Sequence, residues 1–220
     1  MPSPRESRAA LKLLTTEAVG MSLDLLARIK GSPEVRRAAL LDGVPGLIGY
    51  YSDGSAALAA DFYDEERELA GVSSRFTSEA VVLDRTVKIR RGIAWASDPL
   101  FVDDRDLAGA RMAEIVQLNT ARPFRDTILT NRQNDPAAIG WKRVTSGGCA
   151  FCKALASRGA TYKEETAHFA SHPNCHCTAA PVFRNGETGP EASVTQYMAS
   201  RRNRTPEQRE RIRDWISAFE

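Results

Sequence analysis

Outside one stretch of the chain there is no cysteine and no histidine. All four cysteines fall between Cys149 and Cys177, and His168, His172 and His176 lie inside the same stretch. A Ser-His-Asp or Cys-His catalytic set elsewhere is therefore excluded, and so is general-base chemistry by a distant histidine. There is no P-loop and no glycine-rich dinucleotide fingerprint. Charge of one sign is also lacking: 30 Lys and Arg stand against 28 Asp and Glu, for a net charge of +2. A protein that coats DNA carries a basic surplus, so this balance argues against that class but allows a local basic patch. No apolar run approaches the roughly 18 residues of a membrane span. The opening MPSPRESRAALKLL has charges but no apolar core before a small-residue cleavage site, so no secretory signal is expected. A reducing compartment is the expected setting, where clustered cysteines hold metal more often than disulfides. Carboxylate pairs, a Ser-Lys dyad or the metal itself remain as catalytic options. Asp103-Asp104 lies in a charged, loop-like run where a solvated surface is the default, and no enzyme is expected.

The rest of the chain reads as mainly helical. Leu11, Leu14, Ala18, Met21 or Leu25, and Ile29 recur at helical spacing from Arg5 to about Lys30, with a relaxation expected near Gly20. GSP at 31–33 ends that helix and starts another, with Ser32 as cap and Pro33 at the first helical position, running to about Leu41. DGVPG at 42–46 predicts a turn. A further helix is expected from about Ser55 to Leu69, with DEERE (Asp64–Glu68) on its solvated side. The β-branched stretch Glu79–Ser97 fits either a strand or a buried helix. A helix to about Asn119 and another from Pro123 to just before Asp135-Pro136 complete this part. After it, IGWKRVTSGGCAFC reads as a short strand that runs into a glycine turn, and CHCTAAPVF as a second short strand. The expected fold class is α+β, mainly α-helical. It comprises a helical domain over 1–136, a small zinc-stapled mixed α/β module over 137–183, and a linker with a C-terminal amphipathic helix over 184–220.

Cys149 and Cys152 form a C-x-x-C knuckle behind Gly147-Gly148, and two thiolates at that spacing can turn toward one cation. His172, Cys175 and Cys177 answer it as H-x-x-C-x-C. A closed tetrahedral Zn2+ site needs four ligands and five are on hand. The favoured set is Cys149, Cys152, His172 and Cys177, with Cys175 as the substitute for His172 or Cys177. Such an over-supply fits structural zinc, since a catalytic site leaves one position open for water. The other readings are buried reduced cysteines acting as small apolar residues, or two disulfides in an oxidising compartment. His168 and His176 are expected to be exposed.

WKRVTSGGCAFCKALASRG followed by FASHPNCHCTAAPVF resembles the C-terminal motif of the MuF-like minor capsid proteins, the head-morphogenesis proteins of tailed bacteriophages. The likeness is greatest to the actinobacterial-phage type and covers about residues 141–183. Cys149, Cys152, His172, Cys175 and Cys177 fall on that family's recurrent Cys/His positions. His176 stands where relatives often carry a basic residue. The resemblance implies a virion assembly protein at the portal vertex or capsid interior. Its expected partners are the portal protein or the major capsid protein, with nonspecific contact with packaged DNA and no membrane.

A zinc-dependent nucleic-acid-binding module or nuclease relative is the competing reading. It draws on the cysteine cluster and on RRNR at 201–204, although HPNCHC mimics an HNH constellation only superficially. In the C-terminal TPEQRERIRDWISAFE, Thr205 reads as an N-cap, with Pro206 after it and Gln208 as a capping-box partner. Ile212, Trp215, Ile216 and Phe219 form an apolar stripe opposite Arg209, Glu210, Arg213 and Asp214. That stripe packs either on the chain's own helices or into a groove on a partner.

Overall fold

The computed structural model describes residues 4–145, 150–157 and 177–183, together with Thr205, Pro206, Glu210, Asp214 and Ser217. Four long helices come first: α1 (Pro4–Arg28), α2 (Pro33–Leu69), α3 (Thr86–Ser97) and α4 (Arg105–Asn134), with a 3-10 turn, Asp98–Val102, between the last two. Strand β1 (Ala138–Val144), helix α5 (Ala150–Ala156) and strand β2 (Thr178–Phe183) follow. The mainly helical class with a small sheet agrees with the composition pattern. Among the described residues, no helix is long and apolar enough to cross a membrane.

Helix α1 does not relax at Gly20. It runs unbroken, and Gly20 sits on its exposed side, where a missing side chain costs propensity but no packing. The buried stripe is Ser7, Leu11, Thr15, Ala18 and Ser22, while Met21 is exposed. Thr15 and Ser22 reach the interior by donating their hydroxyls to the carbonyls of Lys12 and Val19, which satisfies groups that would otherwise be buried unpaired.

Two helices expected on either side of DGVPG are one. Helix α2 starts as anticipated, with the Ser32 side chain accepting from the Val35 amide and Pro33 in the first turn, but it carries Pro45 in its interior. Proline removes one intrahelical hydrogen bond. Leu40, Val44 and Ile48, all fully buried, hold one continuous stripe across that point. A Cβ at Gly43 would lie 3.1 Å from Leu25 Cδ2, so glycine there lets α1 approach α2 closely. The same correction applies to α4, a single 30-residue helix through Pro123. Tertiary burial of Phe124 and Ile128 overrides the local proline signal. At its start Asp104 caps the helix, accepting from the Leu107 amide at 2.9 Å.

The β-branched stretch divides. Residues 86–97 are the helix α3, whereas 79–81 run as extended chain along α4 without a strand partner. Asn131 Oδ1 accepts from the Glu79 amide and Asn131 Nδ2 donates to the Glu79 carbonyl, each at 2.8 Å. Thr127 Oγ1 does the same one turn earlier, accepting from the Val81 amide at 2.9 Å and donating to its carbonyl at 3.3 Å. Helix side chains thus satisfy backbone groups that a ladder would otherwise pair.

Strands β1 and β2 pair antiparallel, with Trp141 opposite Pro181 and Val144 opposite Thr178, and a bulge between Ala138 and Gly140. Both expected strands are present. Their core is not their own. Trp141, Ala180 and Phe183 share one cluster with Phe62, Tyr63 and Phe124 of α2 and α4. A second cluster, around Leu40, Ile48, Ile93 and Met112, joins α2, α3 and α4.

The segment DEERE is not the solvated face it resembles. Arg67 is buried, and its Nε donates to Asp135 Oδ2 at 2.9 Å, the Asp135 side chain being fully enclosed. Tyr63 donates to the same oxygen at 3.4 Å, and Asp135 Oδ1 accepts from the Ala137 amide. Burial and then the Asp135 charge push the Tyr63 phenol well above its ordinary range, so it stays a donor. Arg67 also donates to Ser74 Oγ and to the Val72 carbonyl. Helix α2 closes beside this network at Gly71, whose φ of 67° suits glycine. Asp64 accepts from the Ser78 amide. Glu66 is half-buried, and that burial raises its carboxyl above the usual range, with Lys142 opposing and Glu65 adding to the shift.

Two outcomes are expected. Arg67→Met strands a buried carboxylate and should cost about 3–5 kcal/mol, measured as a fall in the denaturant midpoint at unchanged m-value. Glu66→Gln should stabilise at neutral pH. A raised folded-state pKa means that the native protein holds its proton more tightly than the unfolded chain. The wild-type penalty is therefore complete above the raised folded value and disappears below the unfolded one. The advantage of the variant should shrink to nothing as a thermal-melt series is taken down in pH through that window.

Candidate metal centre

The hairpin decides where the cysteine stretch begins and ends. Val144 and Thr178 are paired, so the chain leaves β1 and re-enters β2 at the same end of the sheet. Cys177 is the residue just before β2, and Cys149 lies five residues beyond Val144, within about 18 Å even if fully extended. The two ends of the cysteine stretch therefore start from one end of the hairpin. Cys152 is placed in α5, a helix that packs on β1, rather than in a glycine turn.

Cys152 and Cys177 are 2% and 4% exposed. Cys177 is a thiol, not half of a disulfide. Cys149, His172 and Cys175 lie outside the described residues, as do His168 and His176. Among the described residues no group of three or more His, Cys, Asp or Glu side chains is assembled as a metal site. The two candidates that are described suit zinc in kind and in burial: both are sulfur donors, enclosed where a structural site is closed to water.

A neighbour that sequence reading missed adds to this fit. Arg125 of α4 is 3% exposed, and its Nε donates to the Cys177 carbonyl at 3.0 Å. Three thiolates and a neutral imidazole around Zn2+ leave one negative charge, and four thiolates leave two. A buried guanidinium at the backbone of the candidate Cys177 would offset part of such a charge. The only signal in the sequence is position: Arg125 follows Phe124 on the apolar side of a long helix, where a charge needs a partner.

In the C-terminal segment, Pro206, Glu210, Asp214 and Ser217 are helical and exposed, and Ser217 donates to the Asp214 carbonyl. That agrees with a helix whose polar side includes Glu210 and Asp214. Ile212, Trp215, Ile216 and Phe219, the expected stripe, lie outside the described residues.

Arg125→Met should leave the Cys177 carbonyl buried without its donor. A loss of about 1–3 kcal/mol is expected, read by calorimetry, together with faster reaction of the cysteines with a thiol reagent in the native protein.

No curated protein and no solved structure matches this chain. A family model does, that of the VG15 protein, over residues 3–201, which takes in the helices, the hairpin and the whole cysteine stretch. The chain belongs to the VG15 family of viral proteins.

Proposed function

We propose that this protein is a structural component of a phage head, a minor capsid protein at the portal vertex or capsid interior, whose C-terminal hairpin is stapled by one structural Zn2+. The observation that carries the zinc reading is the pairing of Val144 with Thr178. It puts the end of β1 that leads into the cysteine stretch beside the start of β2 that leads out of it, and Cys152 and Cys177 are both buried. The ligands would come from Cys149, Cys152, His172, Cys175 and Cys177. Zinc held in this way supplies cross-linking and no reaction step.

The assembly role is supported by membership of a viral family, by the resemblance of residues 141–183 to MuF-like proteins, and by the confinement of every histidine to the cysteine stretch. An assembly protein needs a rigid body and a surface for its neighbours, and long helices sharing one core with a stapled hairpin provide both. Portal or major capsid protein is the partner this reading implies, with no catalytic turnover.

Protein purified under reducing conditions should contain one zinc per chain by elemental analysis. Cys149→Ala and Cys152→Ala should each lower that toward zero, whereas His168→Ala should not. Chelation should leave most of the far-UV helical signal, because Trp141 and Phe183 pack with helix residues rather than around the metal. Metal content near zero with an intact fold would sink the zinc reading. Absence of this chain's density from the portal vertex and inner capsid wall of a procapsid reconstruction would sink the assembly reading.

A further inference from the structure

Helix α3 contains no carboxylate: its sequence is TVKIRRGIAWAS. Ile89, Ile93 and Ala96 turn inward, and a Cβ at Gly92 would meet Ile115 of α4 at 3.0 Å, so α3 lies close along α4. On the outer face Lys88, Arg91 and Trp95 follow at i, i+3 and i+7, all exposed. Helix α4 contributes two more cations beside them. Arg111 stacks on the Trp95 ring at 4.5 Å and donates to the Trp95 carbonyl. Arg122 lies near Arg85 and Lys88, close enough for its charge to act on both.

These cations are poorly neutralised. Asp126 pairs with Arg122 at 3.1 Å, and its charge also acts on Arg85. Asp84 is engaged by the Thr86 amide. Arg85, Lys88 and Arg91 are in no ion pair among the described residues, and Arg85 Nε is buried without a hydrogen-bond partner. The crowding shows in titration: the Arg85 charge, then burial and Arg122, hold the Lys88 ammonium below its ordinary range. Positive charge held together at a cost is what a polyanion relieves.

The row has a length. Arg111 and Arg122 are eleven residues apart on one helix, which is about 16 Å. A DNA duplex rises about 3.4 Å per base pair along its axis, so the row is about as long as five base-pair steps and can meet the phosphates that face it over half a turn. Trp95 already has Arg111 on its ring, so it serves to hold a guanidinium rather than to stack on a base. We propose that the outer face of α3, with Arg111 and Arg122 of α4, is a binding surface for the sugar-phosphate backbone of duplex DNA, without sequence preference. It is separate from RRNR at 201–204 and does not depend on the zinc or assembly readings.

Fluorescence anisotropy with a 20-base-pair duplex, from about 25 to 200 mM salt, tests it on the full-length protein. Five cations, one of them shared with Asp126, predict a slope of log affinity against log salt of about −4. The double variant Lys88→Ala/Arg91→Ala should reduce that slope by about 2 and weaken binding at least tenfold at 50 mM salt, with two unrelated duplexes affected alike. Both side chains are exposed, so the melting temperature should be unchanged. Lys12→Ala/Lys30→Ala, on α1 and just beyond its end, removes the same charge and should leave the slope as it was. The proposal is overturned by absence of binding at 25 mM salt, or by equal slopes for the α1 and α3 variants. It is equally overturned if polyglutamate of matched charge displaces the duplex as well as unlabelled DNA does, since the face would then fit an acidic protein instead.

Discussion

Arg67 and Asp135 meet at the point where the helices end and the sheet begins, and both are out of water. Enclosing two ions costs several kcal/mol each unless every lone pair and proton is met. Here the requirement is filled by three donors. Tyr63 and Arg67 approach one carboxylate oxygen from α2, while the Ala137 amide takes the other from the first residues beyond α4. Such a network tolerates little displacement, so it sets where α2 stops against α4 and the heading on which the chain enters β1. Trp141 reaches the shared aromatic cluster only from that heading.

The same helix, α4, then meets the sheet a second time. Arg125 holds the Cys177 carbonyl just before β2, so the approach to β1 is tied to α2 by Arg67 and the approach to β2 is tied to α4 by Arg125. Between those two anchors lies the whole cysteine stretch. A loop with both ends fixed on one helical body would spend less conformational entropy in bringing candidate ligands together. In this way the helical body contributes to a metal site without supplying a ligand to it.

How much of this could be read from residues alone depended on the range of the interaction. The strands were legible as short runs rich in apolar residues, although in the structure Arg143 is buried like Trp141 and β2 is buried throughout. The two halves of the cysteine motif were legible as a set because their spacing is local. The interruptions expected at DGVPG and at Pro123 were wrong for a shared reason: glycine and proline report only on the backbone near them. The stripes that hold α2 and α4 together, such as Leu40-Val44-Ile48, draw their strength from other helices. Arg67 was hidden for the opposite reason. Within DEERE it looks like one more surface charge, and its partner is 68 residues away. Arg125 was likewise invisible until β2 was placed.

The docking of 79–81 on α4 has a geometric root. Four residues of α-helix rise about 6 Å, and two residues of extended chain rise about 6.6 Å. Side chains at i and i+4 of a helix can therefore address every second peptide of a strand, as Asn131 and Thr127 address Glu79 and Val81. All of the recognition is carried by main-chain amides and carbonyls. Apart from proline, which has no amide to donate at 79 or 81, side chains there take no part in these bonds, whereas the side chains at 127 and 131 make all four of them.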